Sequence, residues 1–253
     1  MTARPLEGRV ALVTGAAGAG IGRACARRLG RDGATVVVTD AHAGRTAETV
    51  EQLREELDVV VVGHVMDVAD RPRVDAVIAE VTETVGPVDI LVNNAAVNVL
   101  GTVVECEPAD WDRVIDVDLS ACWYLTRAVL PAMMRAGRGA VVNISSVAGY
   151  VGGAGSEGPY AAAKAGLQSL TRTVAAEAGP HGVRANAVAV GIVRSKFVEK
   201  HIATLGREAE RTPLRRLGRP EEIAAVVAWL ASDESSFVTG ETINASGGWY
   251  MSP

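Results

Sequence analysis

Cysteine is sparse: Cys25, Cys106 and Cys122 are the only three, and no two form a C-x-x-C pair. An odd, scattered set of this kind argues against a disulfide framework or a zinc site and for a reducing compartment. Aromatic residues make up only 4% of the chain, against 27 glycines. Its cores must therefore come from Ala, Val and Leu, joined by many tight turns. Neither sign of charge dominates, and a formal net charge of −5 offers no basic surface to nucleic acid or an anionic membrane. The longest charge-free stretch, Gly139 to Ser156, is rich in Gly and Ser, which excludes it as a membrane span. The first ten residues, MTARPLEGRV, lack the apolar core of a signal peptide, so a cytoplasmic setting is expected. His42, His64, His181 and His201 do not cluster in the sequence, and no metal site is expected.

What the chain does have is rhythm. Short apolar runs at residues 10–14, 35–40, 59–66, 90–93, 140–144, 183–190 and 242–244 are continuous in Val, Ile, Leu and Ala, as in strands covered on both faces. Helical patterns lie between them at 20–32, 45–57, 71–85, 109–136, 160–179 and 220–231. The last opens with Pro220, Glu221 and Glu222, a favourable helix start, and Ile223, Val226, Val227 and Leu230 form its apolar stripe. Strand–helix alternation predicts an α/β fold of the Rossmann type: a doubly wound parallel sheet of about seven strands with helices on both faces. No linker or repeat interrupts it, so residues 1–253 are expected to form a single domain. The charged segment 195–214 breaks the rhythm and is a candidate substrate lid.

Between the first strand and the first helix stands TGAAGAGIG, residues 14–22. Glycine there lets phosphates approach backbone N–H groups and the positive end of a helix. Alone, such a loop can equally be a tight turn. Asp40 ends the second strand, about 20 residues further on, where a carboxylate accepts hydrogen bonds from the adenosine ribose and repels a 2′-phosphate. The pair favours NAD, while Arg23 and Arg45 keep NADP open. Further along, YAAAK puts Tyr160 and Lys164 on one helix face. Tyrosine ordinarily titrates near ~10, and a neighbouring Lys⁺ together with the nicotinamide charge would lower this, letting the phenol exchange protons near neutral pH. Upstream, VVNISSVAG ends a strand with Ser145 and Ser146. Ser146 is placed to bond a carbonyl or alkoxide oxygen.

These residues resemble the short-chain dehydrogenase/reductase family over nearly the whole chain. The marks are the glycine loop, Asp67-Val68, NNAA at 93–96, WDRVIDV at 111–117, Ser145-Ser146, YAAAK at 160–164, GRPEE at 218–222 and FVTGETINASGGW at 237–249. The resemblance implies that Tyr160 is the acid/base, that Lys164 holds ribose hydroxyls and depresses the tyrosine pKa, and that Ser146 binds the reacting oxygen. It places Gly15, Gly18, Gly20, Ile21 and Gly22 at the cofactor phosphates, Asp67 and Val68 beside the adenine, and Asn93, Asn94 and Ala95 along the cofactor. Val193 and Ser195 would meet the nicotinamide carboxamide. Oligomers, commonly tetramers, are usual in the family, and Trp123, Leu125, Leu167 and Leu170 are interface candidates.

The chain also departs from the family pattern. Asp118 stands where the family usually has Asn, whose support of a bound water links the lysine to solvent; an altered proton relay is expected, with Lys164 favoured in its protonated form. The usual Pro-Gly is Val190-Gly191, the usual Thr is Ser195, and a usual tail Asp is Ser246. The glycine loop is one residue longer than the family pattern, with Gly18 absorbing the excess, and the interval from Ser146 to Tyr160 is likewise one residue longer. The loop before Tyr160 would present Tyr150, Val151 and Glu157 to the substrate, with Val97, Asn98, Val193 and Phe197 from other segments. Most are apolar, pointing to a mainly hydrophobic secondary alcohol or ketone; Arg194, Lys196 and Lys200 could instead meet an acidic or CoA-bearing substrate. The expected function is NAD-dependent alcohol–ketone interconversion. Two alternatives are NADPH-dependent reduction of a 3-oxoacyl thioester and a non-catalytic nucleotide sensor on the same scaffold.

Overall fold

Seven strands hydrogen-bond in the order β3-β2-β1-β4-β5-β6-β7, every pair parallel. They are β1 (Val10–Thr14), β2 (Thr35–Asp40), β3 (Val61–Val65), β4 (Ile90–Asn93), β5 (Gly139–Ser146), β6 (Val183–Val190) and β7 (Thr242–Ala245). The computed structural model describes residues 4–152, 157–195, 199 and 202–251. The helices are α1 (Ile21–Arg31), α2 (Ala43–Glu56), α3 (Arg71–Thr84), α4 (Pro108–Ile115), α5 (Ala121–Ala136), α6 (Ala148–Val151), α7 (Gly158–Ala178), α8 (Ile202–Glu210) and α9 (Pro220–Ala231). No helix among the described residues is long and apolar enough to cross a membrane.

The absence of polar alternation in the strands has its reason in the layers. Ala11 and Val13 of β1 join the core under α1, α2 and α9, with Leu29, Leu53, Ile223 and Val227. Val10 and Leu12 of the same strand join the opposite core under α3, α5 and α7, with Val77, Leu125 and Val174. Successive strand residues point to opposite faces, and here both faces are dry. The stripe of α9 is packed as expected, and Glu222 Oε2 accepts from the Arg219 N–H at its N-terminus at 2.8 Å. Leu125 and Leu167 are core residues, 1% and 0% exposed, so neither is available to an interface; Trp123 is 47% exposed.

Two elements differ from the sequence pattern. The single helix expected over 109–136 is interrupted by a π-helical turn, Asp116–Ser120, which leaves the apolar periodicity nearly intact and is therefore silent in it. The expected lid contains α8, whose Leu205 and Glu208 reach a cleft. Because strand order reverses between β1 and β4, that cleft opens at the C-terminal ends of the strands, where the chain leaves the sheet in opposite directions.

Candidate active site

The cleft encloses ≈1090 Å³ and runs from Asp40, past the glycine loop, to Tyr160. Thr14, at the end of β1, anchors it. Its Oγ1 accepts from Asn94 N at 2.9 Å and Ala95 N at 3.0 Å, while Asn94 Nδ2 donates back to Thr14 O at 2.8 Å and Gly15 O at 3.0 Å. This clamp leaves no space for side chains: a Cβ on Gly22 would lie 2.4 Å from both Gly15 O and Asn94 Nδ2. Gly15, at φ +58°, is also forced to be glycine by Ala95 Cα.

The lengthened loop does not behave as a uniform phosphate cradle. Ala16 N donates to Thr39 O, Ala17 N to Asp40 Oδ2 at 3.3 Å, and Gly18 N to Thr49 Oγ1 at 3.2 Å. Gly18, at φ +93°, absorbs the extra residue by turning onto α2 and away from the cleft wall. The N-terminal turn of α1 has no side-chain cap and lines the cleft through Gly20, Ile21 and Gly22. Uncapped helix N–H groups at the end of a glycine-walled groove fit a dinucleotide pyrophosphate. Asp40 borders the same groove, its Oδ1 accepting from His42 N at 3.0 Å and lying 3.5 Å from Arg45. Asp67, Val68, Asn94, Ala95, Val193 and Ser195 also line it.

Asn93 does not. It is 1% exposed, and its Nδ2 donates to Asn143 Oδ1 at 2.8 Å, whose own Nδ2 donates to Thr171 Oγ1 at 2.8 Å. This residue ties β4 to β5 and α7 behind the cleft, a position that matches no direct cofactor contact.

At the other end, Ser146 and Tyr160 share the cleft wall. Ser146 closes β5, its Oγ accepting from Ala148 N at 3.1 Å. Ser145 is turned inward to Lys164 O and Gln168. Lys164, one turn along α7 from Tyr160, is 2% exposed, with Nζ 5.3 Å from the Tyr160 ring centre and 3.1 Å from Ile144 O.

Beneath it lies Asp118, at the centre of the π turn and wholly buried. Its Oδ1 accepts from Val97 N at 2.8 Å, and its Oδ2 stands 3.1 Å from Lys164 Nζ. Asp118 O accepts from Cys122 Sγ. The departure from the family's asparagine thus becomes a direct ion pair. Burial would lower the Lys164 pKa, but Asp118, then Tyr160 and Cys122, outweigh it and the ammonium is held above its ordinary value. For Asp118 burial prevails over Lys164 and the Val97 N–H, raising the carboxyl.

For Tyr160 the expected lowering counts the nicotinamide charge along with Lys164. The protein's own groups raise its hydroxyl rather than lower it: burial acts most strongly, Lys164 pulls the other way, Asp118 pushes it up again, Ser146 lowers it, and Glu157 adds a small rise. Lys164 does act in the expected direction but does not prevail over burial.

Of the substrate candidates, Val151 and Glu157 line the cleft with Val97, Asn98 and Val193. Tyr150 does not; its ring stacks on Tyr250 at 4.4 Å. Phe197, Lys196 and Lys200 lie outside the described residues. Leu205 and Glu208 of the expected lid also line the wall, as do Arg113 and Trp249, which no spacing ties to the site because each comes from a segment remote in sequence. The cleft lining is mostly apolar, with Arg113, Glu157, Arg194 and Glu208 among the charged residues within it. No group of three or more His, Cys, Asp or Glu among the described residues is placed to hold a metal ion.

A family model described as enoyl-(acyl carrier protein) reductase matches residues 15–250. The chain is 40% identical over 245 residues to a 3-oxoacyl-(acyl-carrier-protein) reductase of Thermotoga maritima, covering 96% of this chain and 98% of that protein. It is 44% identical over 245 residues to the (5R,7aS)-5-hydroxy-7a-methyl-1-oxo-2,3,5,6,7,7a-hexahydro-1H-indene-carboxyl-CoA reductase of Mycobacterium tuberculosis, covering 95% and 93%. Among solved structures, a gluconate 5-dehydrogenase from Burkholderia cenocepacia in complex with NADP and tartrate superimposes with TM-score 0.92 at 33% identity, covering 98% of this chain and 97% of that one.

Proposed function

We propose, from the premise that the chain belongs to the short-chain dehydrogenase/reductase family and is one of its oxidoreductases, that it interconverts a secondary alcohol and a ketone with NAD. One observation carries the reading: Ser146 and Tyr160 line a cleft that continues to Asp40, with Lys164 Nζ buried behind them 5.3 Å from the Tyr160 ring centre. A bound nicotinamide supplies the hydride acceptor or donor. The Tyr160 oxygen, as phenolate, takes the proton from the alcohol in oxidation, and the resulting hydroxyl gives it back to the carbonyl oxygen in reduction. Ser146 Oγ orients the reacting oxygen, and the Lys164 ammonium stabilises the phenolate, itself positioned by Asp118 and Ile144 O. Residues 1–253 act as one unit, with 195–214 as the substrate lid, in a cytoplasmic homo-oligomer, the tetramer favoured.

NAD rests on Asp40, whose carboxylate faces the groove that would hold the adenosine ribose. The rival reading, NADPH-dependent reduction of a 3-oxoacyl thioester, draws on the name of the Thermotoga relative, on the NADP in the Burkholderia neighbour and on Arg45 beside Asp40. Turnover of secondary alcohols with NAD and NADP, and of 3-oxoacyl thioesters with NADH and NADPH, decides between them. A clear preference for NADPH would refute the role given to Asp40. Loss of turnover in Tyr160→Phe is expected with either cofactor, and full activity in that variant would overturn the oxidoreductase assignment of Tyr160.

A further inference from the structure

Glu157 immediately precedes α7, at the N-cap position that Ser, Thr, Asp or Asn ordinarily fills. Its side chain does not cap the helix. Its Oε1 instead accepts a 2.7 Å hydrogen bond from Asn98 Nδ2, across the cleft mouth from the segment that follows β4. The same two segments meet through the main chain, at the Gly101–Glu157 bridge. Both side chains line the cleft, and Glu157 lies within Coulombic reach of the Tyr160 hydroxyl, one helical turn away.

That bond also fixes which way the Asn98 amide faces. Nδ2 must point at the carboxylate, so Oδ1 points away from it. Oδ1 is buried and has no hydrogen-bond partner among the described residues. A buried carbonyl oxygen left unpaired is costly and calls for an explanation. Glu157 adds a carboxylate with lone pairs to spare, since Asn98 satisfies only part of its accepting capacity. Glu157 thus offers the cleft a carboxylate with accepting capacity to spare, three residues before Tyr160 in the chain. Asn98 Oδ1, buried behind the bond that joins the two side chains, gains a donor only from a group that enters there.

We infer that Asn98 and Glu157 form a hydroxyl-recognising subsite, and that the substrate carries a second hydroxyl group close to its reacting carbon. An amine would also satisfy these acceptors, and a preference for 2-aminocyclohexanol over the diol, assayed beside the probes below, would overturn the assignment to a hydroxyl. The inference rests on the alcohol–ketone reading above and deepens it: the substrate is a hydroxyketone or vicinal diol, not a plain apolar alcohol. A site built to bond a substrate hydroxyl discriminates strongly against the analogue that lacks it, because the protein's acceptors are then left unpaired.

The test uses the full chain with its nicotinamide cofactor and two matched probe pairs. These are cyclohexanol against cyclohexane-1,2-diol and cyclohexanone against 2-hydroxycyclohexanone. The ratio of kcat/KM within each pair is the first readout, and calorimetric affinity for the cofactor-loaded protein is the second. The hydroxylated partner should be favoured by at least about tenfold, and the ratio should fall below about threefold in Glu157→Gln and in Asn98→Leu. Glu157→Gln retains an oxygen to accept from Asn98 Nδ2, so a bond serving only to strap two segments together would survive it. A ratio near unity in the unaltered protein overturns the subsite, as does a preference that persists in both variants or binding of neither probe. Undiminished turnover in Tyr160→Phe would instead strike the alcohol–ketone reading, which the calorimetric ratio does not depend on.

Discussion

Replacing Asp118 by asparagine removes one charge and almost no volume from a fully buried ion pair, and its cost can be worked out from the two contacts. Oδ1 accepts from Val97 N at 2.8 Å, and Oδ2 faces Lys164 Nζ at 3.1 Å. Both neighbours are donors. An asparagine has one oxygen to offer, so whichever way its amide turns, its NH₂ confronts a donor. One hydrogen bond is lost, worth about 1.5–3 kcal/mol where a charged partner is involved. Asp118→Ala loses both and strands the ammonium without its counter-ion, for about 3–5 kcal/mol. For a chain of this size these translate to falls in Tm of about 3–12 °C and about 6–20 °C. Thermal unfolding followed by circular dichroism and urea titration at neutral pH would measure both. The pH dependence has a definite sign. Lys164 is held above its ordinary value of 10.5, so its contribution is fully present below that value and is lost as pH rises through the higher folded one. The gap between the unaltered protein and Asp118→Ala should therefore be level from about pH 8 to about pH 10 and narrow beyond. An Asp118→Asn protein within about 0.5 kcal/mol of the original, with Asp118→Ala no worse, would show that the carboxylate does not hold Lys164.

Three further outcomes follow from the same structure. Burial pushes the thiols of Cys25 and Cys122 up to about 12, so alkylation of the native protein at pH ~8 should label Cys106 alone, the other two reacting only after denaturation; rapid labelling of Cys122 would contradict the packing around Asp118. Gly22→Ala forces a methyl against Gly15 O and Asn94, so stability should fall by about 1–3 kcal/mol and NADH affinity, read by calorimetry, by at least about tenfold; an affinity within about twofold of the original would place the dinucleotide elsewhere. A hydrogen bond from Arg216, then the Arg219 N–H, lowers Glu222 to about 2 from 4.5, a contribution present above pH 4.5 and lost as pH falls toward about 2; Glu222→Gln should flatten the stability profile across that acid range, modestly because the group is solvent-screened, and an unchanged profile would remove Glu222 from the α9 cap.

Much of this architecture was readable because the strands are buried on both faces, and unbroken runs of Val, Ala and Ile stand out against helical periodicity. β1, β2, β4 and β6 begin and end where the runs do. Motif residues at strand ends, Asp40, Ser146 and Asn94, reached the cleft because the parallel topology brings all those ends to one edge. What escaped reading depends on backbone detail or on distant segments. The π turn around Asp118 changes the hydrogen-bond ladder without disturbing the apolar pattern, so the ion pair with Lys164 had no trace in spacing. Gly18 has the residue type of a phosphate loop, but its N–H direction is decided by Thr49 on the next helix. Tyr150 is drawn off by Tyr250, from the far end of the chain, just as Trp249 enters the cleft wall from there.

The Asn93–Asn143–Thr171 chain has a consequence for how the sheet assembles. Strands made almost entirely of small aliphatic residues are poorly distinguished from one another: sliding β4 by one residue along β5 would still bury apolar groups on both sides. Asn93 and Asn143 stand opposite each other in the observed pairing, and only there does Asn93 Nδ2 meet Asn143 Oδ1 in the dry interior. A slip by one residue turns Asn93 to the other face of the sheet and leaves its Nδ2 and the Asn143 Oδ1 it bonds without each other, while Asn143 Nδ2 keeps Thr171, a penalty no rearrangement of Val or Ala relieves. Two asparagines in the middle of the sheet thus serve as an alignment key, marking the one register of a repetitive aliphatic ladder in which their side chains bond each other.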